Sequence, residues 1–199
     1  MSIFDFINSS GIEEKTNLKI LEIGPGTKPL FNKPPLQKHQ IFAIDKIKDS
    51  ERLNNITFIH GDFLSSQFDI KFDYIFDRLT LHEQNINERE LYLNKIKHLL
   101  SENGEYICEH GIYHNQMEFD EEDLLYNNNT HLLYQQKDEV IKIVKYIPPA
   151  FEIEKQLLNK GFKIIEFLCD SSKKIICNRK SDIPKISDPD HLYFRVKKN

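Results

Sequence analysis

The sequence predicts an α/β fold built on a doubly wound sheet. Three observations carry it. Short, nearly continuous apolar runs alternate with polar connectors, as strands buried on both faces of a parallel sheet do. Acids stand at the ends of successive runs. A clear helical pattern separates the fourth run from the fifth, so strand and helix repeat with right-handed crossovers.

The first run is "LKILEI" at 18–23, followed by the turn "GPGT". "QIFAID" at 40–45, "ITFIHGD" at 56–62, "FDYIFD" at 72–77 and "GEYICEH" at 104–110 are the next four. The helix over 87–100 places Leu91, Ile96, Leu99 and Leu100 on one face and stops at "SENG". Earlier connectors are short and leave room for helices of one to three turns. Residues 111–148 hold an acidic stretch "EFDEEDLL", an Asn run and "DEVIKIVKYI", which suits strand or helix. A segment this long between core elements suggests a substrate lid or insertion.

"PPAFEIEKQLLNKG" then reads as a helix with proline at its start and Gly161 at its end. "FKIIEFLC" and "KKIICNRK", separated by "DSS", read as an antiparallel hairpin closing the sheet. Residues 181–199, with Pro184 and Pro189, read as an irregular tail. The expected organisation is one domain over 1–199.

With 199 residues, 39% of them hydrophobic and 29% charged, the chain is long enough for a core without disulfides or metal. The net charge of −4 gives no general attraction to nucleic acid, and the basic cluster of note is "RVKK" at 195–198. Cys108, Cys169 and Cys177 form no CxxC pair and sit in apolar runs, as buried free thiols do. No apolar stretch approaches a membrane span, and the N-terminal "MSIFDFINSSG" lacks a basic region. A reducing, cytoplasmic setting is the expectation.

The loop after the first strand is the usual ligand cradle of such a sheet. A dinucleotide fingerprint, G-x-G-x-x-G, fails because its third position is Pro29, which lacks a small side chain and a backbone donor. NAD and FAD are disfavoured, and no P-loop sequence occurs. A ligand with a ribose and an amino acid part would instead use backbone approach at the glycines and carboxylates that accept from hydroxyls and amino groups. Asp45 lies 21 residues beyond Gly24, a distance that suits a carboxylate taking both ribose hydroxyls. Asp62 suits the adenine amino group, while Glu22 and Asp77 line the mouth.

These motifs together resemble the class I S-adenosylmethionine (SAM)-dependent methyltransferases. "LEIGPGT" is similar to the glycine-rich first motif, "AIDK" to the ribose-binding second, "HGDF" to the adenine-binding third and "FDYIFDRLTLHE" to the fourth. "LLSENGEYICEH" and "LLNKGFKIIEF" are similar to later elements, so that most of residues 18–180 is covered in order. The resemblance implies a Rossmann-like methyltransferase fold with seven strands in the order 3-2-1-4-5-7-6, the last antiparallel. It implies SAM as cofactor, held by Glu22, Gly24, Pro25, Gly26, Asp45, Lys46, Asp62, Phe63, Asp77, Arg78 and Leu79. The departure is "KPLFNKPPLQKHQ", where the family has a full helix.

Methyl transfer from a sulfonium requires alignment of donor and acceptor, and a base where the acceptor must lose a proton. His82 and His110 are the candidate catalytic residues, with Glu83, Glu109 and His114 as further base candidates. Arg78 could clamp a substrate carboxylate or pair within the scaffold. The pair Asp77 and Glu109, or His110 with His114, offers metal-like spacing, yet no metal is expected. Lid aromatics Tyr113, Phe119, Tyr126, Tyr134 and Tyr146 either shape an acceptor pocket or pack the lid down. The fourth motif, "DRLT" rather than [ND]-P-P-[YF], and the acidic charge favour a small acceptor, methylated at O or N, over nucleic acid. The alternatives are an inactive methyltransferase-like binding module, an RNA methyltransferase and an NAD-dependent oxidoreductase.

Overall fold

The five apolar runs form strands β1 (Lys19–Ile23), β2 (Gln40–Asp45), β3 (Ile56–His60), β4 (Phe72–Arg78) and β5 (Leu100–Ile112). The structure is a computed structural model that describes residues 3–26, 29–30, 36, 38–47, 56–112, 124–127, 129–137, 140–170 and 190–199. β1 pairs in parallel with β2 and β4, β2 with β3, and β4 with β5. Strand order therefore reverses between β1 and β4, and a crevice opens at their carboxyl ends. In β1 and β4 nearly every side chain is buried, which is why these runs show no polar alternation.

Beyond β5 the sheet is closed by β9 (Phe162–Asp170) and β10 (Asp190–Lys198), in the order β3-β2-β1-β4-β5-β10-β9. β10 runs antiparallel to both neighbours. Counted along the chain, this is the seven-stranded order 3-2-1-4-5-7-6 with an antiparallel seventh strand.

Two expectations about this edge change. The partner of β9 is β10, whereas "KKIICNRK" lies outside the described residues. The supposed irregular tail is a strand over Asp190–Lys198, with Leu192, Tyr193, Phe194 and Val196 all at 0% exposure. Alternation in "HLYFRV" sends Leu192, Phe194 and Val196 to one face and Tyr193 to the other. Pairing on both edges then removes the exposed-edge problem that a terminal strand would have.

Helix α2 (Ile86–Leu99) begins with a capping box, Asn85 accepting from the Asn87 and Glu88 backbones while Glu88 reaches back to the Asn85 N–H. Its buried face is Arg89, Tyr92, Leu93, Ile96 and Leu99, and Leu91 is 60% exposed. The expected face was thus rotated, because a buried arginine disguises the apolar stripe. Leu100 is already extended, and "SENG" lies within β5. α3 (Ala150–Asn159) follows Pro149 and ends before Gly161, whose φ of 70° reverses the chain.

The α2 and α3 side of the sheet buries Leu21, Ile75, Tyr106, Leu157 and Phe194 in one cluster. The opposite face carries the short helix α1 (Ile3–Asn8), with Phe6 against Tyr193 at 5.9 Å. Within 111–148 lies a second sheet of β6 (Leu124–Asn127), β7 (Leu132–Lys137) and β8 (Val140–Tyr146), all antiparallel. Within "DEVIKIVKYI", Val140–Tyr146 is therefore strand. Of the proline-rich segment only Pro29, Leu30, Leu36 and residues 38–40 are described, and both leucines are buried. Cys108 is buried but Cys169, on the outer strand β9, is exposed, contrary to the reading of every cysteine as core; Cys177 lies outside the described residues. Among the described residues no helix is long and apolar enough to cross a membrane.

Candidate functional site

The turn after β1 is shaped by what it touches. Gly24 and Gly26 have φ of 65° and 60°, a region that costs other residues strain. A Cβ on Gly24 would stand 2.0 Å from Thr80 Oγ1, so the glycine admits the chain leaving β4. Thr80 Oγ1 donates to Ile23 O at 3.2 Å, and Gly24 N–H donates to Ile44 O at 2.9 Å. Three strand ends are tied together here. Glu22 is buried, and its two carboxylate oxygens accept the Leu30 N–H at 2.9 and 3.0 Å. It holds the segment after the turn and does not line the mouth. Pro25 is likewise buried.

Asp45, at the end of β2, accepts from Gly26 N–H through Oδ2 and from Ile47 N–H through Oδ1, each at 2.8 Å. Each oxygen keeps a lone pair for a further donor. Asp62 accepts Leu64 N–H at 2.8 Å and Ser65 N–H at 3.2 Å, and pairs with Lys46 Nζ at 2.5 Å. Burial works to raise its pKa, but the Lys46 hydrogen bond and charge with the two amides outweigh it, and the carboxyl lies below its ordinary value. Lys95, from α2, donates to the carbonyls of Phe63, Leu64 and Ser66 and sits 5.0 Å over the Phe63 ring. That cation clamps the turn which presents Phe63.

Asp77 is buried and spent internally. It accepts from Thr80 and Leu81 N–H through Oδ1, at 2.8 and 3.3 Å, and from Tyr92 and Tyr106 hydroxyls through Oδ2, at 2.6 and 3.0 Å. Burial raises its pKa, with these four bonds opposing. The next residues are held in an unusual path: Leu79 has φ of 64°, and its N–H donates to Glu109 O at 2.9 Å. Strain at a non-glycine residue of this kind is typical of ligand-facing turns.

These pieces enclose a cavity of about 320 Å³, within the size range of small-ligand sites. Of the expected cofactor residues, Gly24, Gly26, Asp45, Lys46, Asp62, Phe63, Arg78 and Leu79 line it, whereas Glu22, Pro25 and Asp77 stand behind the wall. Thr80, Tyr92, Glu83 and Gln84 also line it. Tyr92 was not foreseen, because in sequence it reads as one more apolar position of α2. Thr80 and Lys95 had no separate signal either.

The two expected catalytic histidines are not in this lining. His82 and His110 are 3% and 0% exposed, their rings edge-on with centroids 5.8 Å apart. His110 Nδ1 bonds to Gly111 O at 2.6 Å and Nε2 to Arg89 Nη1 at 3.2 Å. The carbonyl fixes the proton on Nδ1, so Nε2 accepts from the guanidinium. Burial first, and then the Arg89 charge, hold His110 well below its ordinary pKa. A ring so engaged cannot take up a proton from an acceptor. Arg89 itself is pushed down to about 10 by burial; it donates to Leu81 O at 2.5 Å and lies 4.5 Å over the Tyr146 ring.

The metal-like pair separates as well. Asp77 stands opposite Cys108 and Arg78 opposite Glu109 in the parallel register, so Asp77 and Glu109 project to opposite faces. His114, Tyr113 and Phe119 lie outside the described residues.

No protein-family model matches the sequence, and no curated protein is similar enough to match. Solved structures do match. An S-adenosylmethionine-dependent methyltransferase from Clostridium acetobutylicum superposes with a TM-score of 0.64 at 17% identity, over 98% of this chain and 90% of the other. The Burkholderia thailandensis 1,6-didemethyltoxoflavin-N1-methyltransferase, solved with 1,6-didemethyltoxoflavin and S-adenosylhomocysteine, gives 0.64 at 13%, over 99% and 76%. The CcbJ methyltransferase from Streptomyces caelestis gives 0.64 at 14%, over 95% and 89%. Strand order, the glycine turn at the switch point and these superpositions agree: the chain has the Rossmann-like fold of the SAM-dependent methyltransferases.

Proposed function

We propose that the protein binds SAM in the cavity above β1, β2 and β4 and transfers its methyl group to the O or N atom of a small molecule. The observation that carries this reading is the convergence of the Gly24–Gly26 turn, Asp45 and Asp62 on one cavity. That donor and acceptor set fits the group. Asp45 has acceptor capacity for both ribose hydroxyls. Asp62 and Phe63 offer a carboxylate and an aromatic face to the adenine, and Leu79 with Arg78 floors the amino acid end. When bound, SAM supplies an activated methyl on a sulfonium that leaves as a neutral thioether. The chain's part is to align the acceptor, exclude water and accept a proton. Glu22 and Asp77 serve by holding the loops rather than by touching the cofactor.

A small acceptor is favoured by the net charge of −4 and by the neighbour whose name specifies methylation of 1,6-didemethyltoxoflavin. The antiparallel sheet β6–β8, inserted after β5, is the proposed substrate lid. Calorimetric titration with SAM, S-adenosylhomocysteine and NADH tests the reading. Binding of the first two and not the third is expected, and absence of binding by either adenosyl compound overturns it.

A further inference from the structure

His191, on β10, forms a hydrogen-bonded dyad with a buried carboxylate. His191 Nδ1 lies 2.7 Å from Glu109 Oε1, and the Tyr193 hydroxyl donates to the same oxygen at 3.3 Å. The Glu109 side chain is 8% exposed and that of His191 18%. A buried carboxylate that accepts from Nδ1–H fixes the imidazole tautomer and leaves the Nε2 lone pair outward. Among the described residues Nε2 has no hydrogen-bond partner. This contrasts with His110, whose Nε2 is taken by Arg89.

Neither His191 nor Glu109 is in the cavity lining; the dyad adjoins it through β4 and β5. Arg78, in the cavity wall, stands opposite Glu109 in the β4–β5 register, and Leu79 N–H donates to Glu109 O. β10 carries His191 one strand beyond, opposite Gly111 of β5 and Asp170 of β9. The Arg78 and His191 backbones lie two strand spacings apart, about 10 Å, and register puts both side chains on one face of the sheet, so the reacting atom of the acceptor has to sit between them, within hydrogen-bond reach of Nε2.

We propose that His191 is the general base of methyl transfer and that Glu109 is its positioning residue; this rests on the methyltransferase reading above. The acceptor O or N forms the bond to the methyl carbon as the carbon–sulfur bond breaks with its electron pair on sulfur. The proton shed by the acceptor passes to His191 Nε2, and the buried carboxylate stabilises the resulting imidazolium. The charged and titratable groups around the ring are Glu109 and Arg78 from β5 and β4, Tyr193 on β10, and Arg195 two positions further, which pairs with Glu105 and Glu166. Asp170 is opposite in register.

Imidazole nitrogen NMR of the full chain saturated with S-adenosylhomocysteine tests the dyad without an acceptor. His191 is expected as the Nδ1–H tautomer; Glu109→Ala mixes the tautomers, and Glu109→Gln, whose amide oxygen still accepts, restores it. Diethyl pyrocarbonate is expected to acylate His191 before His82 or His110. A Nε2–H tautomer, or a His191 less reactive than those two, overturns the proposal. Against a panel of phenols and secondary amines with labelled SAM, His191→Asn is expected to lower transfer by about 10²-fold. Transfer by His191→Asn at the unsubstituted protein's rate also overturns it. Failure of S-adenosylhomocysteine to bind is a separate result, which removes the methyltransferase reading and is seen by calorimetry before any of these.

Discussion

Asp45 Oδ2 accepts the Gly26 N–H at 2.8 Å, so the acid ending β2 fixes the turn leaving β1. One carboxylate therefore serves both the shape of the cavity and its proposed ribose contact. Asp45→Ala is expected to weaken SAM binding by about 1–3 kcal/mol through lost charge-assisted hydrogen bonds. Asp45→Asn, which keeps one acceptor oxygen, should fall between. Calorimetry measures both, and an unchanged affinity would place the ribose elsewhere.

Gly24 has no room for a side chain. Its φ of 65° and the 2.0 Å approach of a Cβ to Thr80 Oγ1 act together in Gly24→Ala. A loss of about 1–3 kcal/mol of unfolding free energy is expected, read by urea denaturation. Adding Thr80→Ala removes the closest contact and should recover part of the loss, but not the part due to φ.

Asp77 couples stability to pH. Burial raises its folded pKa above the ordinary 3.8, so the unfolded chain releases its proton first as pH rises. Its contribution to stability is fully present below 3.8 and is lost as pH climbs through the folded value. Asp77→Asn removes this dependence. Denaturation from pH 3 upward, compared between the two proteins, should show the unsubstituted one losing stability relative to Asp77→Asn; parallel curves would contradict it.

His110 has the opposite sign. Its folded pKa lies well below 6.5, chiefly through burial, so below that pH the unfolded chain binds a proton the native state refuses. Stability should fall as pH drops from 6.5 toward the folded value. His110→Gln is expected to flatten this slope. In NMR of the folded protein the His110 ring should keep its neutral signals at pH 6, and a midpoint near 6.5 would refute the burial argument.

The parallel half of the fold was legible because its strands are buried on both faces and end in recognisable turns. "EIGPG", "AID" and "GDF" each placed residues that now share one cavity. What remained hidden depends on contacts distant in sequence. Strand β10 lies after two prolines in a polar neighbourhood, and only pairing with β5 and β9 makes it structure. Glu109 read as one base candidate among several, since its partner His191 stands on that unrecognised strand. α2 was assigned correctly but turned, because Arg89 occupies a core position that periodicity reserves for apolar residues. The strand or helix ambiguity of "DEVIKIVKYI" is the ordinary limit of a short apolar run.

The insertion of β10 between β5 and β9 has a consequence for folding. Residues 112 and 190 are partners across this ladder, so a long stretch of chain must close before the sheet is whole, and such non-local closure is slow. Until it happens, β5 presents an open edge ending in Ile107, Cys108 and Ile112, all buried in the native state. A transient species of that kind can recruit a strand from another molecule. Concentration during refolding should therefore govern the yield of native protein, and a peptide spanning 190–198, supplied in excess, would compete for that edge.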